Sequence, residues 1–137
     1  MTSLAPPDGW VPVSRRSPFL DLVGPLWVRD SEGLDPIFGL RIEERHANGR
    51  GGAHGGMLMT MADLVLGYTA ALRREPPIGL TTASVSVDFA GSAQVGDWVT
   101  GRADVQHVGR RLAYVNAYLS VEERRILRAS AVFAVTS

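Results

Sequence analysis

At 137 residues and 45% hydrophobic composition, the chain is long enough for one domain with a full core and too short for two. Fourteen basic and fourteen acidic residues cancel to a formal charge of zero, so the overall field gives no sign of nucleic-acid or anionic-membrane binding. With no cysteine, disulfides, thiolate metal sites and thiol nucleophiles are excluded, which fits a cytoplasmic protein.

Residues 1–16 carry Pro6, Pro7, Gly9 and Pro12 without a sustained period, and predict a flexible leader ahead of a single domain over 17–137. This leader lacks a basic region followed by an apolar run, so no signal peptide is expected. Ser17 is a candidate helix cap with Pro18 in the first turn. Phe19, Leu20, Leu22 and Val23 then form a short packing segment that Gly24 and Pro25 end. FGLRIEE (38–44) alternates and predicts a first strand, and HANGRGGAH after it is crowded with turn formers.

From Gly55 to about Leu72 the alternation stops and Met, Leu and Ala dominate, predicting a helix. Leu58, Met61, Ala62, Val65, Leu66 and Thr69 share one face, while Met57, Met59, Leu64 and Tyr68 make the others apolar too. Such a helix should be wrapped on nearly all sides. Gly55, Gly56, Asp63 and Gly67 interrupt the apolar run, which argues against a membrane span.

After Pro76 and Pro77 the period becomes two. In TTASVSVDF, alternation places Thr82, Ser84, Ser86 and Asp88 on one face, and Ala83, Val85, Val87 and Phe89 on the other. GSAQVGD is a turn, and WVTGRADVQHV, RRLAYVNAYLSV and RILRASAVFAV are three further strands. One helix among strands predicts an α+β architecture, an antiparallel sheet curled around a long central helix. The face of the helix left over would take a second subunit.

From His54 to Leu72 the only charged side chain is Asp63. An ionised carboxylate in an apolar setting must be hydrogen-bonded, paired or shifted in proton affinity. Asp63 therefore borders solvent, caps a nearby backbone amide, or serves as a general base or nucleophile. His54-Gly55-Gly56 opens the helix, where free first-turn amides can receive charge developing on an acyl oxygen. His54 and Asp63 are nine residues apart, roughly 13 Å along a helix and on nearly opposite faces. A twofold dimer resolves this by setting the helix start of one chain against Asp63 of the other. Asn48 either polarises a carbonyl or closes an Asx turn, and Thr82 either orients a water or packs in its strand.

HANGRGGAHGGMLMTMAD, TTASVSVDF and AQVGD together resemble the hotdog-fold acyl-coenzyme A thioesterases of the PaaI-like type. SPFLDLVGPLW and GLRIEE look like the leader and first strand of bacterial members, so the resemblance spans roughly 17–135. It implies a hotdog fold, dimers with a continuous sheet, commonly tetramers of two dimers, and hydrolysis of aryl-, phenylacetyl- or medium-to-long-chain acyl-coenzyme A. It also implies Asp63 as base or nucleophile and the Gly55 amide as the group that polarises the thioester carbonyl. Asn48 is then its helper, His54 the histidine of the HGG motif, and Thr82 the hydroxyl that orients water or Asp63, with Thr81 the choice if the count slides by one. Gly91 and Ser92 stand where many relatives have a proline after the phenylalanine, a departure beside the pantetheine path.

On this reading Arg110 and Arg111 are candidates for the phosphates of coenzyme A, and Leu58, Met59 and Leu66 for the acyl cleft between subunits. No separate cofactor, metal, nucleic acid or membrane is expected to take part. The alternatives are a hydratase or dehydratase acting on enoyl or hydroxyacyl thioesters, and a noncatalytic acyl-thioester binding protein.

Overall fold

The computed structural model describes residues 4–31 and 34–137. Seven strands form one antiparallel sheet: β1 (Val11–Pro12), β2 (Trp27–Ser31), β3 (Leu34–Arg41), β4 (Leu80–Phe89), β5 (Trp98–Val108), β6 (Leu112–Val121) and β7 (Arg124–Val135). Their order across the sheet is β1-β2-β3-β5-β6-β7-β4, with every pairing antiparallel. A short helix α1 (Pro18–Val23) precedes β2, and the long helix α2 (Gly55–Ala71) connects β3 to β4. Because β3 and β4 lie far apart in the sheet, α2 crosses its concave face and β4 becomes the terminal strand.

The helix is wrapped as its composition predicts. Leu58, Met61, Ala62, Val65, Leu66, Thr69 and Ala70 are buried against the sheet, joined by Leu40, Val99, Val115, Leu119, Leu127 and Phe133. Thr69 meets its polar obligation locally, donating its hydroxyl to the Val65 carbonyl at 2.7 Å. Close approach of helix and sheet depends on Gly101 in β5, where a Cβ would stand 2.8 Å from both Leu119 and Val65 side chains. The rest of the surface of α2 is only partly covered: Thr60, Asp63, Leu64, Gly67 and Tyr68 are half-buried and Met59 is 40% exposed.

α1 starts where Ser17 caps it, its hydroxyl oxygen accepting the Leu20 amide at 3.0 Å. Two expectations change. The first strand stops at Arg41, and Glu44–His46 turns as a 3-10 helix, because the His46 ring accepts the Glu43 amide and reorients the chain. WVRDS, too short to show a period, adds β2 beside it. The leader is also not free of the domain. Trp10 is buried edge-on against Trp98 at 5.2 Å, Arg41 donates to the Ala5 carbonyl at 3.0 Å, and Val11 and Pro12 pair with β2. Residues 1–3 of that leader lie outside the described residues.

Trp98 fits because Gly39 across the sheet has no side chain, a Cβ there falling 2.2 Å from the indole ring. Gly39→Ala must displace that ring and is expected to cost roughly 2–3 kcal/mol of unfolding free energy. Gly49→Ala, with nothing within 4 Å of its added carbon, should change stability by less than about 0.5 kcal/mol. Urea denaturation of both variants measures the contrast.

Candidate active site

α2 begins in a loop pinned from two sides. The Ala53 amide donates to the Ala93 carbonyl at 2.8 Å, and the His54 amide to the His46 carbonyl at 2.8 Å. Ala93 belongs to the buried start of the AQVGD turn, where the Gln94 amide donates to the Asp97 carboxylate at 2.8 Å. Asn48 closes the loop as an Asx turn: its side-chain oxygen accepts the Arg50 amide at 2.7 Å and the Gly52 amide at 3.3 Å. Its side-chain nitrogen makes no hydrogen bond among the described residues.

His54 is the N-cap residue, and its Nδ1 accepts the Gly56 amide at 2.9 Å. That bond orients the ring as a helix cap and occupies one of the free first-turn donors. The Gly55 amide is left without a hydrogen-bond acceptor among the described residues, at the positive end of a helix of 17 residues. The Phe89 ring lies beside it, 3.4 Å from where a Gly55 Cβ would stand. A small carbonyl oxygen has a donor here, while a larger group meets the ring.

Asp63 sits half-buried near the middle of α2 and accepts the Thr82 hydroxyl at Oδ1, 3.0 Å away. Strict alternation predicts Thr82 on the polar face with Ser84 and Ser86, and the structure corrects this. A β-bulge at Ala83 breaks the register between Thr82 and Ser84, so Thr82 pairs with buried Phe133 and shares the helix-facing side with Val85 and Val87. The extra residue, invisible to a period-two count, turns Thr82 toward the carboxylate. Of the two candidate threonines, Thr82 makes this contact.

The other candidates separate. Leu58 and Leu66, expected to line an acyl cleft, are 2% and 0% exposed in the core between α2 and the sheet, which corrects that assignment. They lie on the sheet-facing side of the helix and cannot reach a ligand without unpacking it. Met59 is exposed beside Asp63. Arg110 and Arg111 form the exposed turn between β5 and β6, near the C-terminal end of α2, where Arg74 reaches the Gly109 carbonyl. A 17-residue helix puts that turn roughly 25 Å from Gly55 within one chain. Asp63 and the Gly55 amide are likewise eight residues apart along one helix, roughly 12 Å, too far to flank one carbonyl from a single chain.

Sequence reasoning passed over His46. It is buried, accepts the Glu43 amide at Nδ1, and sets its Nε2 2.6 Å from the Val23 carbonyl at the end of α1. With Nδ1 an acceptor, Nε2 carries the proton and the ring is neutral. A histidine that directly follows three charged residues, Glu43, Glu44 and Arg45, gives little sign in sequence of such burial. With His54, Gly56, Met57, Thr60 and Leu22 it lines a cleft of about 460 Å³ at the helix start.

A family model for the thioesterase superfamily matches residues 50–127, a span holding Gly55, Asp63 and Thr82. A Pseudomonas aeruginosa protein provisionally named an esterase is 44% identical over 127 residues, covering 93% of this chain and 95% of its own length. Among solved structures, a Streptococcus pneumoniae thioesterase with coenzyme A superposes with a TM-score of 0.73 at 19% identity, covering 82% of this chain and 89% of the other. A Ralstonia eutropha thioesterase described as phenylacetic acid degradation-related superposes with a TM-score of 0.78 at 24% identity, covering 88% and 92%.

Burial holds the His46 ring below its ordinary proton affinity, with the Val23 carbonyl opposing. The unfolded chain therefore takes up this proton more readily than the folded one. The contribution to stability is complete above the ordinary value of 6.5 and is lost as pH falls below it. His46→Gln should flatten the fall in urea midpoint between neutral and mildly acidic pH; an unaltered pH slope would contradict the assignment.

The matched span and the near full-length relative, together with the wrapped helix, show that this chain belongs to the thioesterase superfamily and is a hotdog-fold thioester hydrolase.

Proposed function

We propose that the protein hydrolyses acyl-coenzyme A thioesters at two equivalent sites shared across a homodimer, with Asp63 as general base or nucleophile. The observation that carries this is the single carboxylate of α2, half-buried and held by Thr82 on the terminal strand. β4 presents one unpaired edge, and a twofold partner that continues the sheet there sets its own helix beside α2, antiparallel to it. The Gly55 amide of one chain then meets the Asp63 of its mate, which a single chain cannot achieve.

In this arrangement the thioester carbonyl oxygen takes the open Gly55 amide, where the helix end favours the charge that develops as the carbonyl becomes tetrahedral. The side-chain nitrogen of Asn48 is the second donor, and His54 keeps the helix start in shape as its cap. Asp63 draws a proton from water as the oxygen attacks the carbonyl carbon, and Thr82 fixes the orientation of the carboxylate. Collapse of the tetrahedral species breaks the carbon–sulfur bond, and coenzyme A leaves as the thiol with the acid as second product. No metal or separate cofactor takes part.

Antiparallel helices also bring the C-terminal end of one α2 near the helix start of the other. Arg110 and Arg111 are thereby candidates for the coenzyme A phosphates of a site completed by two chains. The streptococcal relative with coenzyme A and a Streptococcus mutans relative with acetyl coenzyme A support this class of substrate. The acyl group is aryl, phenylacetyl or medium-to-long chain on this reading, and the enzyme a cytoplasmic homotetramer built from two such dimers.

Asp63→Asn is expected to lower kcat by roughly a hundredfold or more without loss of the folded assembly, read as thiol release from acyl-coenzyme A and as thermal unfolding. Unchanged turnover would remove Asp63 from the chemistry. Gly55→Val puts bulk against Phe89 at the carbonyl position and should be comparably inactive. Mixing the two inactive chains tests the shared site: random exchange makes half the dimers mixed, each with one intact site, so about a quarter of wild-type activity should return. No recovery in demonstrably mixed dimers would place both groups' functions within one chain.

A further inference from the structure

The first turn of a helix has no preceding turn to hold it, so its direction is set by the residues just before it. For α2 those residues have one backbone anchor each: Ala53 donates to the Ala93 carbonyl and His54 to the His46 carbonyl, both at 2.8 Å. The His54 carbonyl in turn accepts the Met57 and Leu58 amides at 2.9 and 3.2 Å, closing the first turn around Gly55. Where the open Gly55 amide points therefore depends on where the His46 carbonyl stands.

His46 is held through both its ring and its backbone. Nδ1 accepts the Glu43 amide at 3.0 Å, Nε2 donates to the Val23 carbonyl at 2.6 Å, and the His46 amide donates to the Glu43 carbonyl at 2.9 Å. At 4% exposure, water is poorly placed to replace any of these bonds. Arg45 donates to the carbonyls of Leu22 and Gly24, so three successive carbonyls at the end of α1 are taken by two adjacent side chains. The end of α1 is the stop against which the 43–46 turn is set.

Resting on the hydrolytic reading above, we infer that His46 is a positioning residue for the reaction. Its ring, locked between Val23 and Glu43, keeps its own carbonyl in place, and that carbonyl aims the Gly55 amide at the thioester oxygen through His54. Both ring nitrogens are already engaged, so the imidazole moves no proton in the chemistry. The bond from the Gly55 amide strengthens as charge develops on the oxygen, which makes a misdirected donor felt in kcat far more than in KM. A misplacement of about 1 Å is worth up to about a hundredfold in rate.

The test uses the full-length protein and four variants. His46→Ala removes both ring bonds, His46→Asn keeps an acceptor for the Glu43 amide, and His46→Gln keeps a donor for the Val23 carbonyl. Val115→Ala truncates the buried core in β6 toward the C-terminal end of α2, and controls for lost stability away from the helix start. Thiol release from benzoyl-, phenylacetyl- and octanoyl-coenzyme A is measured at a temperature where circular dichroism shows every variant folded. His46→Ala should lower kcat by about tenfold or more with KM within about twofold, His46→Asn and His46→Gln should each recover part of the loss, and Val115→Ala should keep kcat within about twofold. An undiminished kcat in His46→Ala, an equal loss in Val115→Ala, or no recovery in either conservative variant would overturn the inference. If the unaltered protein hydrolyses none of the three thioesters, the hydrolytic reading fails, and hydrogen exchange read by mass spectrometry decides the role of His46 separately. Exchange over 53–58 about tenfold faster in His46→Ala, with 61–71 unchanged, supports His46 as the residue that sets the helix start; unchanged exchange over 53–58 overturns it.

Discussion

The hydrogen bond from Thr82 to Asp63 joins the middle of the central helix to the terminal strand, and the surrounding structure is arranged to make it possible. α2 is apolar on nearly every side, so its one carboxylate must either stay at the margin of the wrap or find a partner within it. The sheet provides both: it curls far enough to bury Met61, Val65 and Leu66, and it stops at β4, leaving Asp63 half-covered beside a hydroxyl. A further strand on that edge from the same chain would seal the carboxylate. The unpaired edge and the accessible acid are thus one architectural fact.

Most of the architecture could be read from periodicity. The change from an unbroken apolar run at 55–72 to alternation after Pro77 locates α2 and β4, and the absence of a second long helix forces the sheet to do the wrapping. What periodicity could not carry were features made by single residues and by long-range contact. The bulge at Ala83 inverts the face of Thr82, yet Ala83 has nothing in its local sequence to distinguish it from its neighbours in TTASVSV. The leader looks unstructured because its prolines and glycine break local order, but Trp10 is held by Trp98 and Arg41 holds Ala5, contacts between residues far apart in sequence.

The candidate site was legible to different depths for related reasons. Residue types at the helix start speak for themselves: two glycines after a histidine leave donors exposed, and the structure leaves the Gly55 amide open once His54 has taken the Gly56 amide. Which leucines line a cleft is a matter of helical phase relative to the sheet. An all-round apolar helix hides that phase, which is why Leu58 and Leu66 belong to the core while Met59 reaches the surface. His46 escaped notice because its burial comes from α1 and the chain reversal around it, neither visible in a run of charged residues.

Three local departures from regularity meet around the start of α2 and the strand beside it. The bulge aims Thr82, the loop pinned by His46 and Ala93 presents Gly55 with its amide unspent, and the end of β4 lays Phe89 against that amide. Each departure forgoes a regular hydrogen bond or exposes an apolar ring, costs that packing elsewhere must offset. They converge beside the half-covered face of α2 and an edge strand open to pairing, the surface that the proposed dimer uses. The proposed dimer would answer both demands, of folding and of chemistry, because the strand edge open to pairing sits beside the half-covered carboxylate.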